Sequence, residues 1–440
     1  MTNGMRNAAF PVLPDIQEAG RRSKPPRLLI VAGEASGDLH GGALAEALFK
    51  KNPSVQIIGF GGDAMRRAGV DVRFDIERLA VVGLLEVFLN LKSIVQAYRY
   101  ALQLLREGVD LLVLIDYPGF NLRLAKSAKQ LGIPVVYYVS PQIWAWHSGR
   151  IKTIAERVDQ MLVILPFENE IYEAAGIPCK FVGHPLLDEV NRLGMPFSAH
   201  HSSEEKSLKR AYLAEKGLDP AAITIGLLPG SRRREVLALL PAMLRGMERL
   251  AKEFPGLQIL IPVAPSLPSG LIHDLVRSCP LPIRWVEGEI YEVMRVSEVN
   301  VVASGTATLQ GALAGTPMVI IYRLSWVSYQ IARWLIRLKS VGLANIVAEA
   351  PFIPELIQKD ASPFRISEEV GRLLKDKAAR EKMRQGLKEV AGRLGTAGAS
   401  DRAASVISRL METAMQTKGN FRKLERAPDF SEGEIGRKSA

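Results

Sequence analysis

Four short segments carry side chains suited to chemistry on an anionic substrate. DYPGFN, residues 116–121, ends the apolar run LLVLI. A carboxylate at the carboxyl end of a buried strand is placed to act as a general base, and partial burial raises its pKa towards a useful value. Asp116 is therefore the candidate base, or else a cap for the helix through Asn121. GEASGD, residues 33–38, puts Glu34, Ser36 and Asp38 where a strand turns into a helix. All three are candidates for contact with substrate, and Asp38 is equally suited to offset the helix dipole. GSRRREV, residues 230–236, repeats the position with cations. There Gly230 allows close backbone approach, and Ser231 and Arg232 are candidates to hold phosphate. SGTATLQGALAGTPMV, residues 304–319, offers the amides and hydroxyls of Ser304, Gly305 and Thr306 to a pyrophosphate at a helix start.

Other motifs are less specific. VSPQIWAWHSGR, residues 139–150, carries Trp144, Trp146 and His147; the two indoles either wall an apolar site or lock the loop. GFGGDA, residues 59–64, matches GxGxxA but follows the second strand pattern, so it is a weak dinucleotide signal. No DxD, GxSxG or Walker A motif occurs, and no His, Asp or Glu cluster has metal-ligand spacing. Metal and cofactor are therefore both expected to be none. Arg232 and helix N-termini are then the groups left to meet a bound phosphate.

These segments need strands to position them. RLLIVAG, residues 27–33, is a short apolar run ending in glycine, followed by helical spacing. Similar runs at 55–59, 111–116, 134–139, 161–165 and 180–183 alternate with helix patterns. That alternation implies a doubly wound parallel α/β sheet. A polar stretch at 191–217 reads as a linker or insertion. The grammar then restarts at 223–228 and continues through runs at 257–263, 283–286, 299–303 and 318–322. The organisation expected is an N-terminal extension (1–26), a first Rossmann-like domain (27–190), the linker (191–217) and a second Rossmann-like domain (218–364). Helices at 365–411 close the structure before a polar tail, 412–440. Ligands of open parallel sheets bind beyond the carboxyl ends of the strands, so two such domains face a shared cleft lined by the four segments.

With 440 residues, 48% hydrophobic and 23% charged, the chain has the composition of a globular protein. Its 57 Lys and Arg against 46 Asp and Glu leave +11, which favours anionic partners. Cys179 and Cys279 have no CxxC spacing and read as thiols in a reducing compartment. Residues 1–26 lack a secretory apolar core. The longest charge-free run, 299–322, is broken by polar residues, Gly315 and Pro317, and reads as strand, loop, helix, strand. Leu84, Phe88, Leu91, Val95, Tyr98, Leu102 and Leu105 form an apolar helix stripe, with Lys92, Arg99 and Arg106 beside it. This suits either the core or an anionic membrane surface. RLSWVSYQIARWLIRLK, residues 323–339, is a second candidate for contact with lipid or with a second subunit in a homodimer.

In the order in which they occur, these motifs resemble the lipid-A-disaccharide synthase family, glycosyltransferases of the two-Rossmann-domain GT-B type. The resemblance runs from about 27 to 410. It rests on GEASGD, VVGLLEV at 81–87, DYPGFN, VSPQIWAW, VGHP at 182–185, LLPGSR, ASGTATL, LANI at 343–346 and PELIQ at 354–358. It implies inverting transfer of 2,3-diacylglucosamine from its UDP conjugate to 2,3-diacylglucosamine 1-phosphate (lipid X). The products are the β-1,6 disaccharide 1-phosphate and UDP. The place implied is the cytoplasmic face of the inner membrane, with peripheral attachment; separately, no nucleic-acid motif is present, so no nucleic-acid partner is expected. It also implies that Asp116 activates the acceptor 6-hydroxyl and that Arg232 and Asn345 are needed for activity. Ser304, Gly305 and Thr306 match the donor-phosphate turn. Gln310 stands where relatives often carry a ribose-binding Glu. Two readings compete: another GT-B UDP-sugar transferase of envelope biosynthesis, and a nicotinamide-dependent oxidoreductase. VSPQIWAW and GEASGD oppose the first, and the charges of Glu34 and Asp38 in the first turn oppose the second.

Overall fold

The computed structural model describes residues 25–76, 91–144, 149–194, 203–323 and 340–424. The central apolar runs become strands buried on both sides, whereas the edge runs are only partly covered. In the first half, β1 (Arg27–Ala32), β2 (Gln56–Gly61), β3 (Asp71–Asp75), β4 (Leu111–Ile115), β5 (Val135–Tyr138), β6 (Gln160–Val163) and β7 (Cys179–Phe181) form one sheet in the order 3-2-1-4-5-6-7. Every pairing is parallel. Leu28 and Ile30 enter one core with Val113, Ile115 and Val136. Leu29 and Val31 enter the opposite core with Leu112, Leu114 and Val135. Burial on both faces explains why these runs are continuous rather than alternating. A fully buried Leu such as Leu114 carries about 2–5 kcal/mol against truncation to Ala.

The second half repeats the plan. Its strands β8 (Thr224–Leu228), β9 (Gln258–Val263), β10 (Ile283–Glu287), β11 (Val299–Ala303), β12 (Met318–Tyr322) and β13 (Glu355–Ile357) run in the order 10-9-8-11-12-13, again all parallel. The charge-free run 299–322 is strand, turn, helix and strand as expected. Among the described residues no helix is long and apolar enough to cross a membrane.

Strand order reverses between β1 and β4 in the first sheet and between β8 and β11 in the second. These are the topological switch points, where a crevice opens beyond the strand ends. Glu34 follows β1 and Asp116 follows β4. Ser231 and Arg232 follow β8, and Ser304 to Thr306 follow β11. All four chemical segments thus flank the two crevices.

The structure departs from the sequence expectations in several places. β3 and β13 went unrecognised because short edge strands with polar alternation lack a strong apolar signal. The expected linker 191–217 contains a helix, Ser203–Glu215. Leu213 buries there against Leu218, Leu260 and Val293, while Tyr212 and Lys216 bond Glu289, so this helix is part of the second domain. The expected tail from 412 begins as helix, because Ala399–Leu424 continues an apolar row of Ile407, Met411 and Met415 onto the core. That last helix packs on Ala35–Lys51 in the first domain. Arg402 donates to Val182 O at 2.7 Å, and Asp188 accepts from the amides of Gly398 and Ser400, which fastens the returning chain. On the helix Leu91–Arg106 the core face is Ala97, Ala101, Leu104 and Leu105, whereas Val95 is exposed beside Lys92 and Arg99. Leu84, Phe88, Trp146, His147 and the candidate segment from 324 to 339 lie outside the described residues.

Candidate active site

The turn after β4 is built from two consecutive residues in the left-handed region. Asp116 and Tyr117 both have φ of 46°. Side chains there cost about 1–3 kcal/mol each, so the surroundings must enforce the conformation. Three contacts do so. Asn121 donates from Nδ2 to the carbonyls of Asp116 at 2.7 Å and Ile115 at 3.1 Å. The Tyr137 hydroxyl donates to the Asp116 carbonyl. The Tyr117 ring occupies the space where a Cβ on Gly33 would sit, only 2.2 Å from that position. The last contact ties DYPGFN to GEASGD across the switch point. The helix Pro118–Gln130 has no side-chain cap, so Asp116 is not its cap.

The Asp116 carboxyl is pushed up to about 6, first by burial and then by the negative charge of Glu34. A hydrogen bond from the Tyr117 backbone opposes the rise and is outweighed. A carboxylate at this value accepts a proton far more readily than one in water, yet is mostly ionised at pH 7.

Glu34 also reaches across to the second domain, where Arg232 Nη2 lies 3.9 Å from its Oε2. Both side chains are more than half exposed, 59% and 51%. Such a pair contributes about 0–1 kcal/mol and leaves Arg232 free to turn towards a phosphate. Arg232 is anchored locally by Glu235, which meets its Nη1 at 3.1 Å. Glu235 also occupies the space beside Gly230, whose φ is 107°. Glycine at 230 thus admits the chain's own carboxylate. Ser231 and Ser36 are exposed.

After β11, Gly305 has φ of 145° and open space on its Cβ side. Thr306 is the exposed N-cap of Ala307–Ala314, with no side-chain cap. The first amides of a helix have no partner within it, so this turn can receive an anion. Ser304 is committed elsewhere: its Oγ donates to Val341 O at 2.7 Å. Half-buried Gln310 lies beside the Tyr291 hydroxyl without bonding it.

Two candidate residues do not face the cleft. Asp38 is buried, and its oxygens accept the amides of Gly62 at 2.6 Å, Ala64 at 2.9 Å and Met65 at 3.1 Å. This also explains GFGGDA: a Cβ on Gly62 would meet Asp38 Oδ2 at 2.9 Å. The glycine-rich turn holds an internal carboxylate where a dinucleotide phosphate would otherwise go. Asn345 is 1% exposed and uses both ends of its amide on Ile353 and Glu355. The resemblance places it among the active residues, but its contacts are internal.

The sequence did not single out Glu168. It is buried and takes the Ser140 hydroxyl at 2.6 Å and Trp144 Nε1 at 3.0 Å, which answers the question of Trp144 in favour of locking the loop. Burial pushes this carboxyl up to about 7. The only sequence signal was an acidic residue in the first turn of a helix following an apolar strand.

Residues 28–407 match the lipid-A-disaccharide synthetase family. A lipid-A-disaccharide synthase of Geobacter sulfurreducens is 44% identical over 386 residues, 88% of this chain and 97% of that protein. One from Nitrosococcus oceani is 44% identical over 388 residues, 88% and 97% of the two chains. Among solved structures, a UDP-GlcNAc 2-epimerase from Neisseria meningitidis bound to UDP-GlcNAc superposes with a TM-score of 0.59. It covers 87% of this chain and 100% of its own at 12% identity, a likeness of fold alone.

Proposed function

The chain belongs to the lipid-A-disaccharide synthase family, GT-B glycosyltransferases with a UDP-sugar donor, and from that premise we propose which groups carry its reaction. The donor is UDP-2,3-diacylglucosamine and the acceptor is 2,3-diacylglucosamine 1-phosphate. The acceptor lies against the first domain and the UDP moiety against the second. The Asp116 carboxylate takes the proton of the acceptor 6-hydroxyl as that oxygen bonds the anomeric carbon of the donor. The bond from that carbon to the diphosphate breaks with inversion, and UDP leaves carrying the electron pair.

Negative charge grows on the departing diphosphate. Arg232 meets it with a mobile positive charge and the amides of the Gly305–Thr306 turn with backbone donors, and interactions that grow with this charge stabilise the transition state more than the ground state. Glu34 raises the proton affinity of Asp116 and lies within 3.9 Å of Arg232, whose local anchor is Glu235. The observation that carries the assignment is the Asp116 carboxyl, held at a switch point in a strained turn and raised to about 6.

Attachment to an anionic membrane face is part of the same reading. Its support is the outer side of Leu91–Arg106, where exposed Lys92, Arg99 and Arg106 flank Val95. Basic residues near such a surface contribute about 1 kcal/mol each.

The test is release of UDP from UDP-2,3-diacylglucosamine in detergent, with EDTA, with and without lipid X. Release that needs lipid X, survives EDTA and collapses in Asp116→Ala is the expected result. Equal release from both proteins would move the base to another group, with Glu34 next in line.

A further inference from the structure

Residues 340–345 lie between β13 and the turn after β11 and bond to both. On one side, Glu355 accepts the amides of Val341 at 2.8 Å and Gly342 at 3.0 Å, together with Asn345 Nδ2 at 2.8 Å. Asn345 is itself held by both backbone groups of Ile353. Gly342 lies flush on the sheet, since a Cβ there would meet Ile320 Cδ1 at 2.4 Å. On the other side, Ser304 Oγ donates to Val341 O at 2.7 Å. Thr308 Oγ1 accepts the Ala344 amide at 3.2 Å and donates to Gly305 O at 2.8 Å.

We propose that Glu355 and Asn345 are positioning residues for the donor-diphosphate turn, acting through Val341–Ala344, and that neither touches substrate. This rests on the assignment of Gly305–Thr306 to the diphosphate. Hydrogen bonds to a carboxylate are roughly twice as strong as neutral ones, so Glu355 is the firmest point in the chain of contacts. Pinning the Gly305 carbonyl and the Ser304 hydroxyl on the sheet side fixes which way the turn's amides face. A turn fixed before the ligand arrives does not lose that ordering entropy on binding. The need for an amide at 345 is then explained: only a side chain with both donor and acceptor joins Ile353 N, Ile353 O and Glu355 at once.

The experiment measures UDP affinity by titration calorimetry on the full chain, with steady-state kinetics and thermal melts alongside. The variants are Glu355→Gln, Glu355→Ala, Asn345→Ala and Ser304→Ala. Glu355→Ala and Asn345→Ala should weaken UDP about tenfold or more and raise the donor KM in step. The acceptor KM and the pH profile should stay in place. Glu355→Gln keeps one carbonyl acceptor and should recover part of the loss. Ser304→Ala cuts the link further along, so combining it with Glu355→Gln should cost less than the two separate losses together. Unchanged UDP affinity with a fall in kcat would overturn the proposal and put Asn345 or Glu355 at the reacting centre. If the alanine variants fail to fold, Glu355→Gln and Ser304→Ala decide alone, and wild-type UDP affinity in both overturns it. Wild-type protein that binds no UDP would instead overturn the donor-site assignment itself.

Discussion

At the end of β4 the chain holds two side-chain-bearing residues in the left-handed region and leaves a partly buried carboxyl near the negative charge of Glu34. At the end of β11 it uses glycine for the unusual backbone, carries no charge from Ala303 to Tyr322, and ties its hydroxyls to neighbouring carbonyls. Both turns stand at the switch point of a parallel sheet, yet they treat polar groups in opposite ways. The first concentrates unfavourable electrostatics on one atom, which makes that atom basic. The second ties Ser304 and Thr308 internally, which leaves backbone amides and the exposed Thr306 as the groups for a ligand. Proton transfer requires a group whose charged form is held at a disadvantage. Holding a diphosphate requires donors that do not move. A duplicated architecture thus supplies both by varying only its loops.

Breaking the first turn should have the largest effect. Asp116→Asn should lower turnover by about 10²–10⁴, the range of a general base, while leaving UDP affinity at the wild-type value. Loss of UDP affinity in that variant would mean that the two turns are not separate devices. Removing Arg232, the cation beside Glu34, comes next. Arg232→Ala should lower kcat/KM by about 100-fold, the scale of one transition-state charge partner. Arg232→Lys should restore only part, because a point charge does not replace a bidentate fork.

The pH profile sharpens the contrast more gently. Asp116 works as a base only when ionised, so kcat/KM should fall as pH drops through about 6. Glu34→Gln removes a like charge that raises this group, so the acidic limb should move to lower pH. A limb that stays in place would show that burial acts alone. The smallest effect is on stability. Folding raises the Asp116 pKa above its unfolded value, so ionisation opposes folding. Asp116→Asn should therefore melt higher than wild type above about pH 6, and the advantage should vanish once the group is protonated in both states. Urea titrations at pH 8 and pH 4 test the sign.

Much of this was legible in the sequence for local reasons. Buried parallel strands must be continuous apolar runs, so Val299–Ala303 and Met318–Tyr322 were readable to the residue. A strand followed by small residues and a helix pattern is a turn at a sheet's carboxyl edge, so local sequence alone marks Glu34, Asp116, Arg232 and Gly305. Edge strands such as Asp71–Asp75 and the helix Ser203–Glu215 are not marked in this way, because their burial depends on partners distant in the chain.

What a side chain does with its hydrogen bonds was beyond the sequence. Asp38 and Glu34 stand four residues apart in one motif with the same functional group. Only the approach of Gly62, Ala64 and Met65 makes the first structural, and only the second domain gives the other Arg232 as its neighbour. Asn345 likewise belongs to a motif of the family, yet Ile353 and Glu355 decide that it faces inward. Residue type and spacing determined the strands, the turns and the chemical groups within them. The tertiary structure decided which carboxylates are withdrawn from water and which amides, hydroxyls or charges they meet there, because desolvation and charge proximity are properties of packing between segments that the chain brings together only when folded.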